Sequence, residues 1–196
     1  PMDYGNQLYR TEQLVSALFL KYRDPRLTYH NLAHTFEVVR RSNEIGLSYA
    51  LHEEDIYILQ TAAWFHDTGQ LIRQGKGHEI KSVNLLKEHA SDLSITKALL
   101  EQINRVILAT AESVEPHTLS EKIIRDADTY HFGTLLFRQT DPLIRKEIEL
   151  FSGKVQTNWF AKSIELLVHH RYYTDYCSGK LSNGKAQNII WLSTQK

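Results

Sequence analysis

In the stretch 12–23, Leu14, Leu18 and Tyr22 recur every four residues, with Val15 and Phe19 beside them. This spacing at three and four, the period of a helix with one apolar face, returns along the whole chain, in 33–46, 53–67, 78–89, 95–110, 120–133, 143–151, 157–173 and 185–193. No segment alternates convincingly with period two, as a half-buried strand would. Apolar stripes on helices can be buried only against other helices, so the pattern predicts an all-α bundle of about eight or nine helices. Local chemistry suggests where they start and stop. Gly46 reads as a C-terminal stop, Ser94 and Ser120 as N-caps, and Pro142 as a first-turn proline of the helix over 143–151.

A chain of 196 residues suffices for one domain with a sizeable core, and no linker, repeat or low-complexity stretch divides it. The expectation is a single domain over 2–196, with Pro1 read as an addition ahead of Met2. Lys plus Arg and Asp plus Glu number 23 each, which gives no global electrostatic case for duplex nucleic acid or an acidic membrane. No apolar run approaches the roughly 20 residues of a spanning helix, and the N-terminus lacks a signal-peptide stretch. Cys177 is the sole cysteine, so no intramolecular disulfide can form, and a reducing cytoplasm is the expected setting.

Ten histidines are the unusual entry in the composition. Imidazole is a common metal ligand, and a helical fold must gather such ligands from several helices. His34 falls early in the second helix. His66 and Asp67 are neighbours at the end of the third. On a regular helix they would diverge by about 100°, so both can reach one ion only where the helix ends or distorts, and Gly69 makes that plausible. A later helix offers Asp126 and Asp128 on a stripe otherwise formed by Ile123, Ile124 and Ala127. A carboxylate there needs a partner. Ligation, N-capping or a bond to Arg125 would each provide one, and the residues alone leave both acids open.

The order His, then His-Asp, then Asp resembles that of the HD superfamily of metal-dependent phosphohydrolases. More locally, "RLTYHNLAHT", "AAWFHDTG", "HEIKSV", "VILAT", "RDADTYHFG" and "LIRKEIEL" look like successive blocks of a bacterial family of predicted HD phosphohydrolases, over roughly 26–150. The resemblance implies a metal-site core over about 26–150, with the C-terminal helices of 151–196 packed on it. It implies metal ligands His34, His66, Asp67 and Asp128, the last chosen because the family places this ligand after alanine. Asp126 then becomes a supporting or helix-face residue. "YHNLAH" is similar to a block of cyclic-nucleotide phosphodiesterases, which implies that His30 protonates the leaving oxygen. If 30–34 were helical, His30 would share a face with His34 and overhang the metal. Asn31 reads as a backbone partner at the helix start.

The same resemblance implies that Asp67 or Glu79 positions the attacking water. His78 and Lys81 could meet a phosphate, although "HEIKS" also reads as an ordinary helix start with an acid in its first turn. Arg145 is the candidate for a further phosphate contact; it, Arg105, Lys146, Arg171 and Lys185 read equally as surface charges. The aromatic run 168–176 suits base stacking or helix packing, and a homodimer contact. The implied cofactor is one divalent transition metal (Mn, Fe, Zn, Co or Ni), with a second possible through His78 and with His117 as an outer ligand. The implied activity is hydrolysis of a phosphate ester of a nucleotide or another small phosphorylated metabolite. The alternatives are a nucleotide-binding sensor with little turnover and a di-iron oxygenase, which would need about six ligands.

Overall fold

The computed structural model describes residues 3–72, 75 and 77–195. Among them are nine α-helices: α1 (Tyr4–Lys21), α2 (Leu32–Ser48), α3 (Glu53–Phe65), α4 (His78–His89), α5 (Lys97–Leu108), α6 (Leu119–Asp128), α7 (Phe137–Ser152), α8 (Trp159–His169) and α9 (Asp175–Ser193). Two short 3-10 turns, Thr68–Leu71 and Tyr130–Gly133, follow α3 and α6. The described residues contain no strand, as the missing period-two pattern requires, and no helix long and apolar enough to cross a membrane.

Beyond its acidic first turn the third helix is buried on nearly every side, and the fold places it at the centre. Tyr57, Leu59, Ala62, Ala63 and Phe65 are all fully buried, and α1, α2, α4, α5 and α6 pack around them. Val15, Ile45, Leu86, Ile103, Ile107, Ile123 and Ile124 complete this core at 0 % exposure. Each such side chain contributes about 1.5–3 kcal/mol. The centrality of α3 matters for function, because its C-terminal end delivers His66 and Asp67 into the interior. A smaller cluster of Phe132, Phe137, Leu167 and Leu192 joins α7, α8 and α9 to the second 3-10 turn.

Several helix ends differ from the sequence expectation. Ser94 adopts a left-handed φ of 54°, and Thr96 caps α5 instead by accepting from Leu99 N–H. Thr118, rather than Ser120, caps α6 in a reciprocal box with Glu121. Gly46 does not stop α2, which runs on to Ser48; a Cβ at Gly46 would stand 2.8 Å from Ile56 Cδ1, so the glycine admits the neighbouring helix. Helix α7 begins at Phe137 and carries Pro142 within it. The adjoining Asp141 is buried and accepts from Trp159 Nε1 (2.7 Å) and Ser163 Oγ (2.6 Å), which ties α8 to α7. The segment 171–173 is not helical, and α9 starts ten residues before Lys185.

The early start of α9 is set by Thr174, whose side chain accepts from Cys177 N–H, and the packing of the helix rests on two glycines in contact. A Cβ at Gly184 would lie 2.0 Å from the Gly133 carbonyl oxygen, so only glycine lets α9 lie against the second 3-10 turn. Gly184→Ala should therefore cost about 1–3 kcal/mol and lower Tm by several degrees. Gly179→Ala, on the same helix with nothing within 4 Å of the new Cβ, should raise stability by about 0.5–1 kcal/mol. Thermal melts of the pair check this; equal shifts would refute the close-approach account.

Glu44 pins α2 to the second 3-10 turn and to α9. Its carboxylate accepts from Tyr130 Oη (2.8 Å), Tyr176 Oη (2.7 Å), Lys180 Nζ (2.7 Å) and Arg41 Nη1 (2.7 Å). Burial works to raise its pKa, but the bonds from Lys180, Tyr176, Tyr130 and Arg41 outweigh it and pull the value from 4.5 down to about 2. A group depressed on folding stabilises above its unfolded pKa and loses that contribution as pH falls through the folded one. Glu44→Gln should thus cost about 1 kcal/mol at pH 7, allowing for solvent screening of this partly exposed network. The difference from wild type should shrink between pH 4.5 and about 2, as denaturant titrations across that range would show.

Candidate metal centre

Three helix ends meet at one point. Asn31 caps α2 by accepting from Ala33 N–H (3.0 Å) and His34 N–H (3.3 Å), which fixes the first turn and places His34 as its third residue. At the C-terminal end of α3, His66 is still helical, but Asp67 departs to φ −107°, ψ 3°. That departure lets adjacent side chains converge where a regular helix would splay them. Gly69 contributes by closeness to α4: a Cβ there would lie 1.9 Å from the His78 carbonyl oxygen. Gly69 N–H donates to Ser82 Oγ (2.8 Å), and Ser82 Oγ–H donates to the His66 carbonyl (2.6 Å). Asp128 is the last residue of α6.

The imidazole Nε2 atoms of His34 and His66 stand 3.4 Å apart. Asp67 Oδ2 is 3.3 Å from the first and 3.2 Å from the second, and Asp128 Oδ1 is 3.1 and 3.7 Å from them. Four donors bound at about 2.0–2.2 Å to one tetrahedral ion would be separated by about 3.4 Å. His66 Nδ1–H donates to the Ala63 carbonyl (2.7 Å), which leaves Nε2 with its lone pair facing the cluster. Asp67 Oδ2 is buried and accepts no hydrogen bond from any described residue. A buried carboxylate oxygen without a donor, aimed between two imidazoles, is what a divalent cation would complete. The electrostatics agree. Burial pushes both imidazoles down, but Asp128 and Asp67 overcome it, raising His34 to about 10 and His66 above its ordinary value. Despite burial, the imidazoles hold Asp67 well below and Asp128 below the usual carboxylate value.

Asp126 faces elsewhere. It is fully buried and accepts from Tyr173 N–H (2.8 Å), Thr174 N–H (2.8 Å) and Thr174 Oγ (2.6 Å), fastening the start of α9. His78 reaches the cluster through Asp67: its Nε2 lies 3.1 Å from Asp67 Oδ1, and its Nδ1–H donates to the Gly75 carbonyl (2.9 Å). Burial opposes charge on this ring, but the bond to Asp67 prevails and lifts its pKa to about 9. Glu79 Oε1 stands 3.7 Å from the same Nε2, one imidazole further out. Lys81 lies in the first turn of α4, and among the described residues no ion pair joins it to the cluster. His117 is exposed at the far end of α6, about 15 Å of helix away from Asp128.

His30 comes beside His34 by a different route from the one expected. Residues 27–31 are not helical, so the two are not on a shared helix face. The loop nonetheless sets their rings edge to face with centroids 5.8 Å apart. Glu147, buried in α7, holds that loop: it accepts from Tyr29 N–H (2.8 Å), His30 N–H (3.0 Å) and His30 Nδ1–H. Burial would raise the Glu147 pKa, yet these bonds keep it below the usual carboxylate value. Arg145, two residues earlier and so on the opposite side of α7, does not join the site; its Nε donates to Glu149 Oε1 (3.0 Å). His131 and Tyr29 also escaped the sequence reading. The Tyr29 ring packs 4.5 Å from that of His34, and its hydroxyl lies 3.3 Å from His131 Nδ1.

Two openings reach the cluster. A cleft of about 250 Å³ lies between α2 and α7, with His34 and Asp128 in its wall. A wider groove of about 910 Å³ contains His30, Asp128 and residues of α8.

The family model of the HD domain matches residues 31–133. No curated protein matches the chain. Among solved structures, the Lin1889 protein from Listeria innocua superposes with a TM-score of 0.68 at 16 % identity, covering 98 % of this chain and 97 % of that one. Bacillus subtilis YpgQ in complex with ADP does so with a TM-score of 0.68 at 16 % identity, covering 98 % and 96 %. At that identity the likeness is one of fold.

Proposed function

We propose, from the premise that this chain belongs to the HD-domain family, that it hydrolyses a phosphate ester of a nucleotide or another small phosphorylated metabolite with a divalent transition metal. The observation that carries the reading is Asp67 Oδ2, buried, without a hydrogen bond from any described residue, and 3.2–3.3 Å from two imidazole nitrogens. His34, His66, Asp67 and Asp128 would hold the ion, and Mn, Fe, Zn, Co and Ni all suit two imidazoles and two carboxylates. Such an ion, when bound, supplies a Lewis acid and a bound water of lowered pKa.

The remaining residues work around it. His78 fixes the outer oxygen of Asp67 and so orients the inner one, and Glu79 supports His78. His30, with Nδ1 committed to Glu147, keeps Nε2 free to hand a proton to the leaving oxygen. The groove that contains His30 carries Arg125, Lys162 and Arg171 among Glu112, Glu115 and Glu165, so it offers a phosphorylated substrate cations without being basic overall. That YpgQ, of the same fold, was solved with ADP supports a nucleotide as the substrate class. One metal accounts for His34, His66 and Asp128, whose donor atoms lie within 4.8 Å of one another, with Asp67 against both imidazoles, and a second would have to use His78 with the outer oxygen of Asp67. A di-iron centre is disfavoured by the position of His117.

Metal analysis followed by a phosphate-release screen tests this. The panel is cyclic mononucleotides, cyclic dinucleotides, nucleoside mono-, di- and triphosphates, and guanosine polyphosphates. Release from at least one class, abolished by chelation and restored by metal, is expected. Metal-loaded protein that hydrolyses none of them would overturn the reading.

A further inference from the structure

We propose that the cleft between α2 and α7 binds the base of a nucleotide, an uncharged planar heterocycle, while the phosphates lie on the His30 side of Asp128; this rests on the hydrolase reading above. Asp128 lines both openings and divides them. The two sides differ in their cations. Among the described residues no lysine or arginine lines the cleft, and its carboxylates are Asp128 and Glu37, the latter bound from outside by Arg40 and Arg41 (2.7 Å each). A phosphate there would meet no cation of the wall. The groove holds Arg125, Lys162 and Arg171 interspersed with Glu112, Glu115 and Glu165, Arg171 being paired with Glu115.

The walls of the cleft favour a flat, partly polar ring. Leu136, at the cap of α7, and Thr140 and Leu143 on the helix line one wall, with Ala33 and Val38 of α2 on the other. Leu136 and Leu143 remain 37 % and 40 % exposed, so apolar surface is left uncovered at the mouth. At the inner end, the Tyr29 hydroxyl and the His131 imidazole, 3.3 Å apart and bonded to each other, add polar groups to the lining. A volume of about 250 Å³ falls below the roughly 300–1,000 Å³ of sites that enclose whole drug-sized ligands. It accommodates a purine or pyrimidine and not a complete nucleotide.

The test uses EDTA-treated protein, so that binding is read without turnover. Adenosine, guanosine, cytidine and uridine are titrated separately by calorimetry or saturation-transfer NMR, with ribose 5-phosphate as the base-free probe. At least one nucleoside should bind with Kd of about 1 mM or tighter, and ribose 5-phosphate should not displace it. Leu143→Trp, filling the cleft from α7, and Ala33→Phe, filling it from α2, should each weaken that binding at least tenfold while metal content and Tm stay near wild type. If no nucleoside binds, if ribose 5-phosphate competes for the cleft, or if both folded variants bind as wild type, the assignment is wrong. Should either variant fail to fold, the wild-type comparison of nucleoside with ribose 5-phosphate decides alone. Phosphate release by metal-loaded wild type separates the two claims. Hydrolysis without nucleoside binding removes the cleft assignment only, and nucleoside binding without hydrolysis of any phosphorylated compound removes the hydrolase reading only.

Discussion

Asp67→Asn protein should purify with less than about a tenth of the divalent metal carried by wild type, since loss of a ligand should exceed the 10–100-fold effects of losing a ligand's support. The substitution keeps the shape of the side chain and removes its charge. In the native site Asp67 Oδ2 lies within 3.3 Å of both imidazole Nε2 atoms and accepts no hydrogen bond from any described residue. An amide there offers the cation a neutral oxygen or turns its NH₂ inward, and neither replaces an anionic ligand. If the metal provides about 4 kcal/mol of transition-state stabilisation, phosphate release should fall roughly a thousandfold. A second readout does not depend on turnover. Metal at 100 times its Kd should stabilise wild type by about 2.7 kcal/mol and raise Tm by several degrees, and Asp67→Asn should show no such rise. Retention of stoichiometric metal by the variant would remove Asp67 from the ligand set.

His30→Ala should lower kcat by about 10²–10⁴-fold while metal content stays at the wild-type level. The two readouts part because His30 stands beside the cluster, with its ring centroid 5.8 Å from that of His34, and is held by Glu147. A general acid matters most when the departing oxygen is basic. The defect should therefore be large for alkyl phosphate esters and small for p-nitrophenyl esters, whose leaving group departs without a proton. Glu147→Gln should show the same dependence on leaving group with a smaller loss, about tenfold, because the amide can still accept one bond from the loop. Equal loss for both ester classes would point to a disturbed loop and not to a missing acid.

How much of this was legible beforehand depended on the range of each interaction. Helix identity follows from neighbours three and four residues away, so α1, α3, α5 and α6 could be read directly from the sequence, although in α1 the buried face is Val15, Leu18 and Phe19, while Tyr22 of the expected stripe falls just past the helix end and is exposed. The roles of Gly46, Gly184 and Pro142 could not, because a glycine that admits a neighbouring helix has the same local spelling as one that ends its own. Residue chemistry alone left Asp126 and Asp128 open. Two positions apart on a helix they point about 200° apart, and the structure turns Asp126 to Thr174 and Asp128 to His34. Glu147 and His131 were missed for a similar reason. Their partners are 117 and 102 residues distant in sequence, and nothing in "LIRKEIEL" distinguishes the buried Glu147 from Arg145 on the opposite face.

Anomalous diffraction from crystals grown with a saturating transition metal, recorded at that metal's absorption edge, bears most directly on the centre itself. The account predicts a peak within about 2.0–2.3 Å of His34 Nε2, His66 Nε2, Asp67 Oδ2 and Asp128 Oδ1 together. A peak seated elsewhere, or one that leaves Asp67 or Asp128 outside coordination distance, would contradict it.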